Sequence, residues 1–447
     1  MASRWIWIDI SELFDQFRHA SHPTGMSRTV MKLADALAGE PGNVFRAARP
    51  LFFHPILRRA ITTENSLLSP LAAFFPRLKS LYATAGLAGT SYSSRAMKGI
   101  ATSLPKPLRY RLFPRDHGVI LFARWAQQQG IDLSPASLTD GDCLFVPGSF
   151  WLGNYAPVLL AQARAARIPI TAFVHDTLLL SHPEWLPGRH SSQFRRGCET
   201  FLPFCKAIIC NSRNTRQELR RLVALPASLP IETCRLGDQG FDNVSTHIPA
   251  AVSEMLAKRY VLFVSTRIPR KNHALLIEAW RQLEQLGSST PYLLLVGGGA
   301  PDASRADNDG KKGQSGRIVW LGNVDDHGLE ALYRCAWMTI YPSLGEGYGL
   351  PVAEALSRGK VCLAAPSGGI REISEDLIDF IDPFDPQSIV NRVTMYLSDP
   401  SRLASREADI RRRYGSTSWC DTAATIRSVL ERTVLREGSL RSKTVVT

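Results

Sequence analysis

The chain has 447 residues, 45% of them hydrophobic and 21% charged, an ordinary globular composition long enough for two or three domains. Its net charge is +13, and residues 1–130 hold 17 Lys/Arg against 7 Asp/Glu, so the basic excess lies in the first third. A basic surface suits nucleic acid, anionic lipid or phosphorylated substrates, and composition does not choose among them.

The 8 cysteines are scattered, without a CxxC pair or a histidine cluster at zinc-ligand spacing. That argues against a metal site and a disulfide framework, and for a reducing compartment. Trp5 to Ile8 is apolar, but Asp9 and Glu12 interrupt it too early for a signal peptide. No stretch of about 20 uncharged apolar residues is present, so no membrane span is expected. The expectation is a cytoplasmic protein, with attachment to a membrane surface left open.

In chain order, residues 4–10 read as a strand and 29–38 as a helix, with Val30, Leu33, Ala34 and Leu37 on one face. Strand, glycine-containing loop and helix open a Rossmann-like unit. Residues 40–118 show no clean periodicity and are expected to be an insertion carrying Arg95, Lys98, Lys106, Arg109, Arg111 and Arg115. Strands are predicted at 142–147, 168–175 and 207–211, with helices at 156–166 and 214–223. Residues 225–258, with Pro226, Pro230 and Pro249, read as a linker. The pattern then restarts: strands at 260–265, 292–296, 317–321, 337–341 and 361–364, helices at 274–286, 328–336, 352–358 and 386–397, and a last helical segment over 401–436. Strands alternating with helices predict a parallel sheet covered on both faces, twice over. The expected domains are 1–245 and 255–415, with a helical segment at 416–447 that packs back on the first domain.

The most informative stretch runs from Pro342 to Ala355. Gly345, Gly347 and Gly349 allow a tight turn and close approach of backbone to a ligand. Pro351 suits a first helical turn, and Gly359 suits the residue after the helix end. A helix N-terminus fed by such a loop is an anion site suited to a diphosphate. Glu346 and Glu354, with seven residues between them, supply carboxylates that accept sugar or ribose hydroxyls; the bland alternative is one capping and one solvated glutamate. A basic loop, with Arg267, Arg270 and Lys271 before Asn272, can neutralise a leaving diphosphate without a metal, or can simply be an exposed basic loop. His175-Asp176 stands at the predicted end of a strand, where parallel sheets bind ligands, although a lone histidine is more often structural.

These motifs are similar to those of the family 4 retaining glycosyltransferases, whose fold is GT-B, two Rossmann-like α/β domains facing a cleft. The likeness covers nearly all of 255–385 and returns in patches of the first half. It implies that Glu346 contacts the donor sugar, Glu354 binds the ribose, and the backbone around Tyr348, Gly349 and Leu350 meets sugar and phosphate. It implies that Lys271 is the diphosphate lysine and that His175 faces the donor sugar. The Thr24-Gly25-Met26-Ser27-Arg28 loop resembles one that closes over the donor phosphates or the acceptor, which points to Gly25 and Arg28. Val324 is implied in base recognition, beside a turn at Gly297-Gly298-Gly299. Three positions depart from the family pattern: Ser265 replaces a glycine, Ser27 replaces another, and Arg267 stands one position later than the arginine of many members.

The expected reaction is transfer from a nucleotide-sugar, with GDP-mannose the first candidate, to a saccharide or lipid-diphosphate-linked acceptor in bacterial polysaccharide assembly. No metal and no other cofactor is called for, nucleic acid is not an expected partner, and retention of configuration comes from the resemblance alone. Two other readings stay open: a nucleotide-sugar epimerase of similar fold, and a non-enzymatic protein that binds anionic surfaces.

Overall fold

A computed structural model describes residues 4–16, 25–39, 44–55, 57–63, 74, 118–151, 155–185, 190–239, 248–287, 289–298 and 316–444. Two sheets organise them. The first comprises β1 (Trp5–Asp9), β2 (Ala47–His54), β3 (Arg59–Thr62), β4 (Ser134–Pro135), β5 (Cys143–Val146), β6 (Ile170–Val174), β7 (Ala207–Cys210) and β8 (Ile231–Thr233), in the order β4-β3-β2-β1-β5-β6-β7-β8. Its pairs are parallel except those of β3 with β2 and β4. The second is parallel throughout and comprises β9 (Tyr260–Val264), β10 (Tyr292–Val296), β11 (Ile318–Gly322), β12 (Met338–Tyr341), β13 (Cys362–Ala364) and β14 (Asp379–Phe380), in the order β11-β10-β9-β12-β13-β14.

The strands are short apolar runs because both faces are covered. In β1, Ile6 and Ile8 pack with Val30, Leu33 and Leu37 of the Met26–Gly39 helix, while Trp7 on the opposite face packs with Leu51, Leu144 and Val146. The indole N–H of Trp7 donates to Asp142 at 2.9 Å, which satisfies the one polar group of that ring. Strand order reverses between β1 and β5 in the first sheet and between β9 and β12 in the second. The crevices at the carboxyl ends of these pairs are where such sheets bind ligands.

Three sequence expectations need correction. The segment 40–118 is not insertion throughout: β2 pairs in parallel with β1 over Trp5↔Ala47 to Asp9↔Leu51, as the second strand of the Rossmann unit, and β3 extends the sheet. Its pattern was hidden because β2 carries Arg49 and Pro50 among its apolar residues. Within the same segment, Phe74 packs on Phe122 and Trp125, and the six basic positions singled out there lie outside the described residues. The supposed linker 225–258 contains β8 and the Ala250–Leu256 helix. The last helical segment is two helices, Pro400–Arg413 and Trp419–Thr444. Asp238, 1% exposed, breaks it by accepting from the Tyr414 hydroxyl at 2.6 Å and the Thr417 amide at 3.0 Å. The final helix then returns to the first sheet and packs on the Met26–Gly39 helix, burying Ala423, Ile426, Val429 and Leu430. Among the described residues, no helix is long and apolar enough to cross a membrane.

Candidate active site

The loops that follow β9 and β12 lie side by side at the reversal of strand order, stitched by the Leu344 amide donating to the Arg270 carbonyl at 2.8 Å. Asn272 adopts a left-handed conformation, φ 62°, which asparagine tolerates, and its side-chain amide donates to the carbonyls of Pro342 and Pro383 at 3.3 and 2.7 Å. The basic loop is thereby pinned to the glycine-rich one. Lys271 Nζ and Arg270 Nη1 both reach the Glu346 carboxylate, the latter at 3.0 Å, and Arg270 also donates to the Gly345 carbonyl at 2.8 Å. All three side chains are nearly buried, at 12–15% exposure. Burial pushes the Glu346 carboxyl up, but the charges of Lys271 and Arg270 outweigh it and hold it at about 2. Burial draws the Lys271 ammonium below its ordinary value, partly offset by Glu346. Asp176 adds a second carboxylate that favours the charged forms of both cations.

Eight residues on, Glu354 sits inside the Leu350–Ser357 helix, 3% exposed. One of its oxygens accepts from the Tyr333 hydroxyl at 2.9 Å; the other accepts from Arg28 Nη2 at 2.5 Å. Arg28 belongs to the first sheet's leading helix, so this ion pair bridges the cleft, with Asp326 a further 3.9 Å from Arg28 Nε.

From the first sheet, His175 follows β6 and meets the Glu346 loop. Its Nε2 lies 2.7 Å from the Pro147 carbonyl, which can only accept, so Nε2 carries the proton and Nδ1 is left as an acceptor. Burial keeps the ring below its ordinary value, hence neutral at pH 7. The Asn211 amide donates to the His175 carbonyl at 2.6 Å. Glycine is required where the two loops touch: a methyl group at Gly347 would lie 2.0 Å from the His175 carbonyl oxygen. Ser212 caps the Arg213–Leu222 helix by accepting from Thr215 N at 3.0 Å, and its hydroxyl also donates across the cleft to the Gly347 carbonyl at 2.7 Å.

The remaining expected residues fall into place unevenly. Gly349, φ +99°, precedes the Leu350–Ser357 helix, and Leu350 opens it. The side chain of Tyr348 is buried, 5% exposed, with its hydroxyl directed at the Leu236 carbonyl at 3.4 Å, just past β8 of the first sheet. Arg267 lies over the Trp320 ring, 5.2 Å from its centroid, and is not in the Glu346 cluster. Val324 packs on the start of the Asp326–Cys335 helix, where a methyl at Gly328 would meet it at 2.6 Å. Gly297, φ +138°, lets the turn after β10 close on the Ser265 carbonyl; Gly299 lies outside the described residues. Gly25, φ +52°, leads into the Arg28 helix, and Thr24 is outside the described residues.

Sequence reasoning missed Tyr333, whose role depends on two helices meeting. It also used Asp9 and Glu12 only as interruptions of an apolar run. Both are buried at the carboxyl end of β1. Burial raises Asp9 to about 6 against its Ser11 hydrogen bonds, while Glu12 accepts from the Ser149 amide. Two acids within four residues of an apolar strand end were the available signal.

Two family patterns match this chain: the glycosyl transferases group 1 pattern over residues 247–414, and the Glycosyltransferase Family 4 pattern over 148–229. The chain belongs to the family 4 glycosyltransferases. The first match spans the loops of Lys271, Glu346 and Glu354, the second those of His175 and Ser212. Among curated relatives, the O-antigen chain mannosyltransferase B of Escherichia coli is 30% identical over 52% of this chain and 62% of its own length. The serotype-specific mannosyltransferase WbdA of the same species is 25% identical over 54% of this chain and 32% of its own. The chain therefore matches less than two thirds of the length of either relative. Among solved structures, Anabaena HepE in complex with UDP and glucose superposes at a TM-score of 0.57 with 16% identity, covering 96% of this chain and 99% of that one. The sucrose-phosphate synthase of Thermosynechococcus elongatus superposes at 0.56 with 17% identity, covering 99% of each chain. These likenesses establish the GT-B fold of the family.

Proposed function

We propose that this family 4 glycosyltransferase moves a hexose, mannose from GDP-mannose being the first candidate, to a saccharide or lipid-linked acceptor in polysaccharide biosynthesis, with retention and without a metal. The observation that carries the reading is the Glu346 carboxylate held by Lys271 and Arg270, on a loop whose next residue, Gly347, lies against the His175 carbonyl. A donor diphosphate brings more negative charge than Glu346, so it draws the two cations to itself and frees the carboxylate for sugar hydroxyls. The start of the Leu350–Ser357 helix adds its amide dipoles to the leaving group's stabilisation. His175 Nδ1 accepts a sugar hydroxyl, and Glu354 takes the ribose. The acceptor hydroxyl attacks from the face of the departing diphosphate; this stereochemistry rests on family membership. Support for mannose comes from the mannosyltransferases among the relatives. The basic excess in residues 1–130 supports docking of the enzyme near anionic lipid on the cytoplasmic face.

The test is nucleoside diphosphate release from a panel of UDP-, GDP- and dTDP-sugars, with and without EDTA. Release from one donor, undiminished by EDTA and lost in Glu354→Ala, supports the reading and names the donor. An altered sugar nucleotide formed without any acceptor identifies an epimerase instead.

A further inference from the structure

A pocket opens beside Glu346. Its walls include Glu346 but neither Lys271 nor Arg270. The first-sheet side contributes Asp176 and Trp185, and the Arg213–Leu222 helix contributes Asn214, Glu218 and Arg221. Trp185 is braced on one face and along one edge. Its indole stacks on His182 with ring centroids 3.9 Å apart and planes 9° from parallel, and its edge abuts Gly345, where a methyl would lie 2.5 Å from Cζ3. The flat ring is thus fixed against the loop that carries Glu346.

The charges of this pocket decide what it can hold. Its walls carry the carboxylates of Asp176, Glu218 and Glu346, and the guanidinium of Arg221 is committed to Glu218 at 2.7 Å. With the Arg221 charge taken up by Glu218, a phosphate or carboxylate finds no uncommitted guanidinium or ammonium on these walls. Sugar hydroxyls suit it, because each carboxylate accepts more than one of them and the Asn214 amide both donates and accepts. The Trp185 face offers the large apolar surface that a pyranose C–H face needs.

We propose that this pocket is the acceptor subsite and that it takes a neutral pyranose stacked on Trp185, a proposal that rests on the sugar-transfer reading above. A sugar seated there has its hydroxyls beside Glu346 and one residue from His175, within the cleft where the donor sugar is held. Saturation-transfer NMR on the full chain tests it, with methyl α-mannoside, methyl α-glucoside and mannose 6-phosphate as probes. GDP and UDP binding are measured by calorimetry on the same samples. At least one neutral glycoside should bind the wild type and Trp185→Phe, bind at least tenfold more weakly to Trp185→Ala, and exceed mannose 6-phosphate. Glu218→Lys, at a half-buried helix position, should also bind the glycoside at least tenfold more weakly, which keeps the test alive if Trp185→Ala does not fold. Nucleotide affinity should stay within about twofold in all variants. The pocket assignment is overturned if no neutral glycoside binds, if the Trp185→Ala and Glu218→Lys variants bind as the wild type does, or if the phosphorylated sugar binds best. Glycoside binding without any nucleotide binding would overturn the transferase reading and leave the pocket standing.

Discussion

Replacing Arg28 by methionine removes one partner of the Arg28–Glu354 pair that bridges the cleft. The side chains are 13% and 4% exposed, so solvent screens the pair little. Breaking a buried ion pair typically costs about 3–5 kcal/mol, because the remaining charge is stranded. Here Glu354 keeps its 2.9 Å hydrogen bond from Tyr333, which places the expected loss at the lower end, about 3 kcal/mol. Glu354→Gln should cost about as much, since it removes the carboxylate that compensates the buried Arg28 charge at 2.5 Å and leaves Asp326 at 3.9 Å. The double variant has no stranded charge, so its loss should fall about 2–3 kcal/mol short of the sum of the singles. Urea denaturation of all four proteins reads this, provided the slope is unchanged and only the midpoint moves. Additivity within about 0.5 kcal/mol would show that the two residues do not interact, and the bridge would have to be abandoned.

Three other outcomes follow from the same geometry. Lys271→Met should lower kcat about 10²- to 10³-fold, the usual loss for one donor aimed at developing charge, in the nucleotide-release assay once the donor is known; a rate within threefold of wild type would remove Lys271 from the site. Glu346 has a folded-state pKa of about 2 against an ordinary 4.5, so its contribution to stability is present above 4.5 and is lost as pH falls from 4.5 towards 2. The stability gap between wild type and Glu346→Gln should therefore close over that interval in acid denaturation, and a gap that persists at pH 2 would contradict the ion cluster. At Gly347, an added methyl faces backbone at 2.0 Å that cannot swing aside, so Gly347→Ala should push the two loops apart by about 1 Å and cost about 10²-fold in transfer rate. Unchanged transfer would mean that the His175 contact plays no part in catalysis.

The residue pattern by itself determined the alternation of strand and helix, the doubling of the Rossmann-like unit, and the loops that carry Lys271, Glu346, Glu354 and His175. It could do so because strands buried on both faces are apolar runs, and because glycine and proline mark the βα turns at which these sheets bind ligands. β2 escaped notice because Arg49 and Pro50 interrupt its apolar run, and the break at Asp238 escaped because the residues it captures lie about 175 positions away. What only the tertiary structure decided is pairing across distance: Arg28 on Glu354, Ser212 on Gly347, Trp185 on Gly345, and Arg270 rather than Arg267 beside Glu346. Local periodicity records which face of an element is buried, but not which loop of the other sheet it will meet. Those meetings are set by the closure of two sheets whose ligand-bearing edges face one another, and they turn separate motifs into a site.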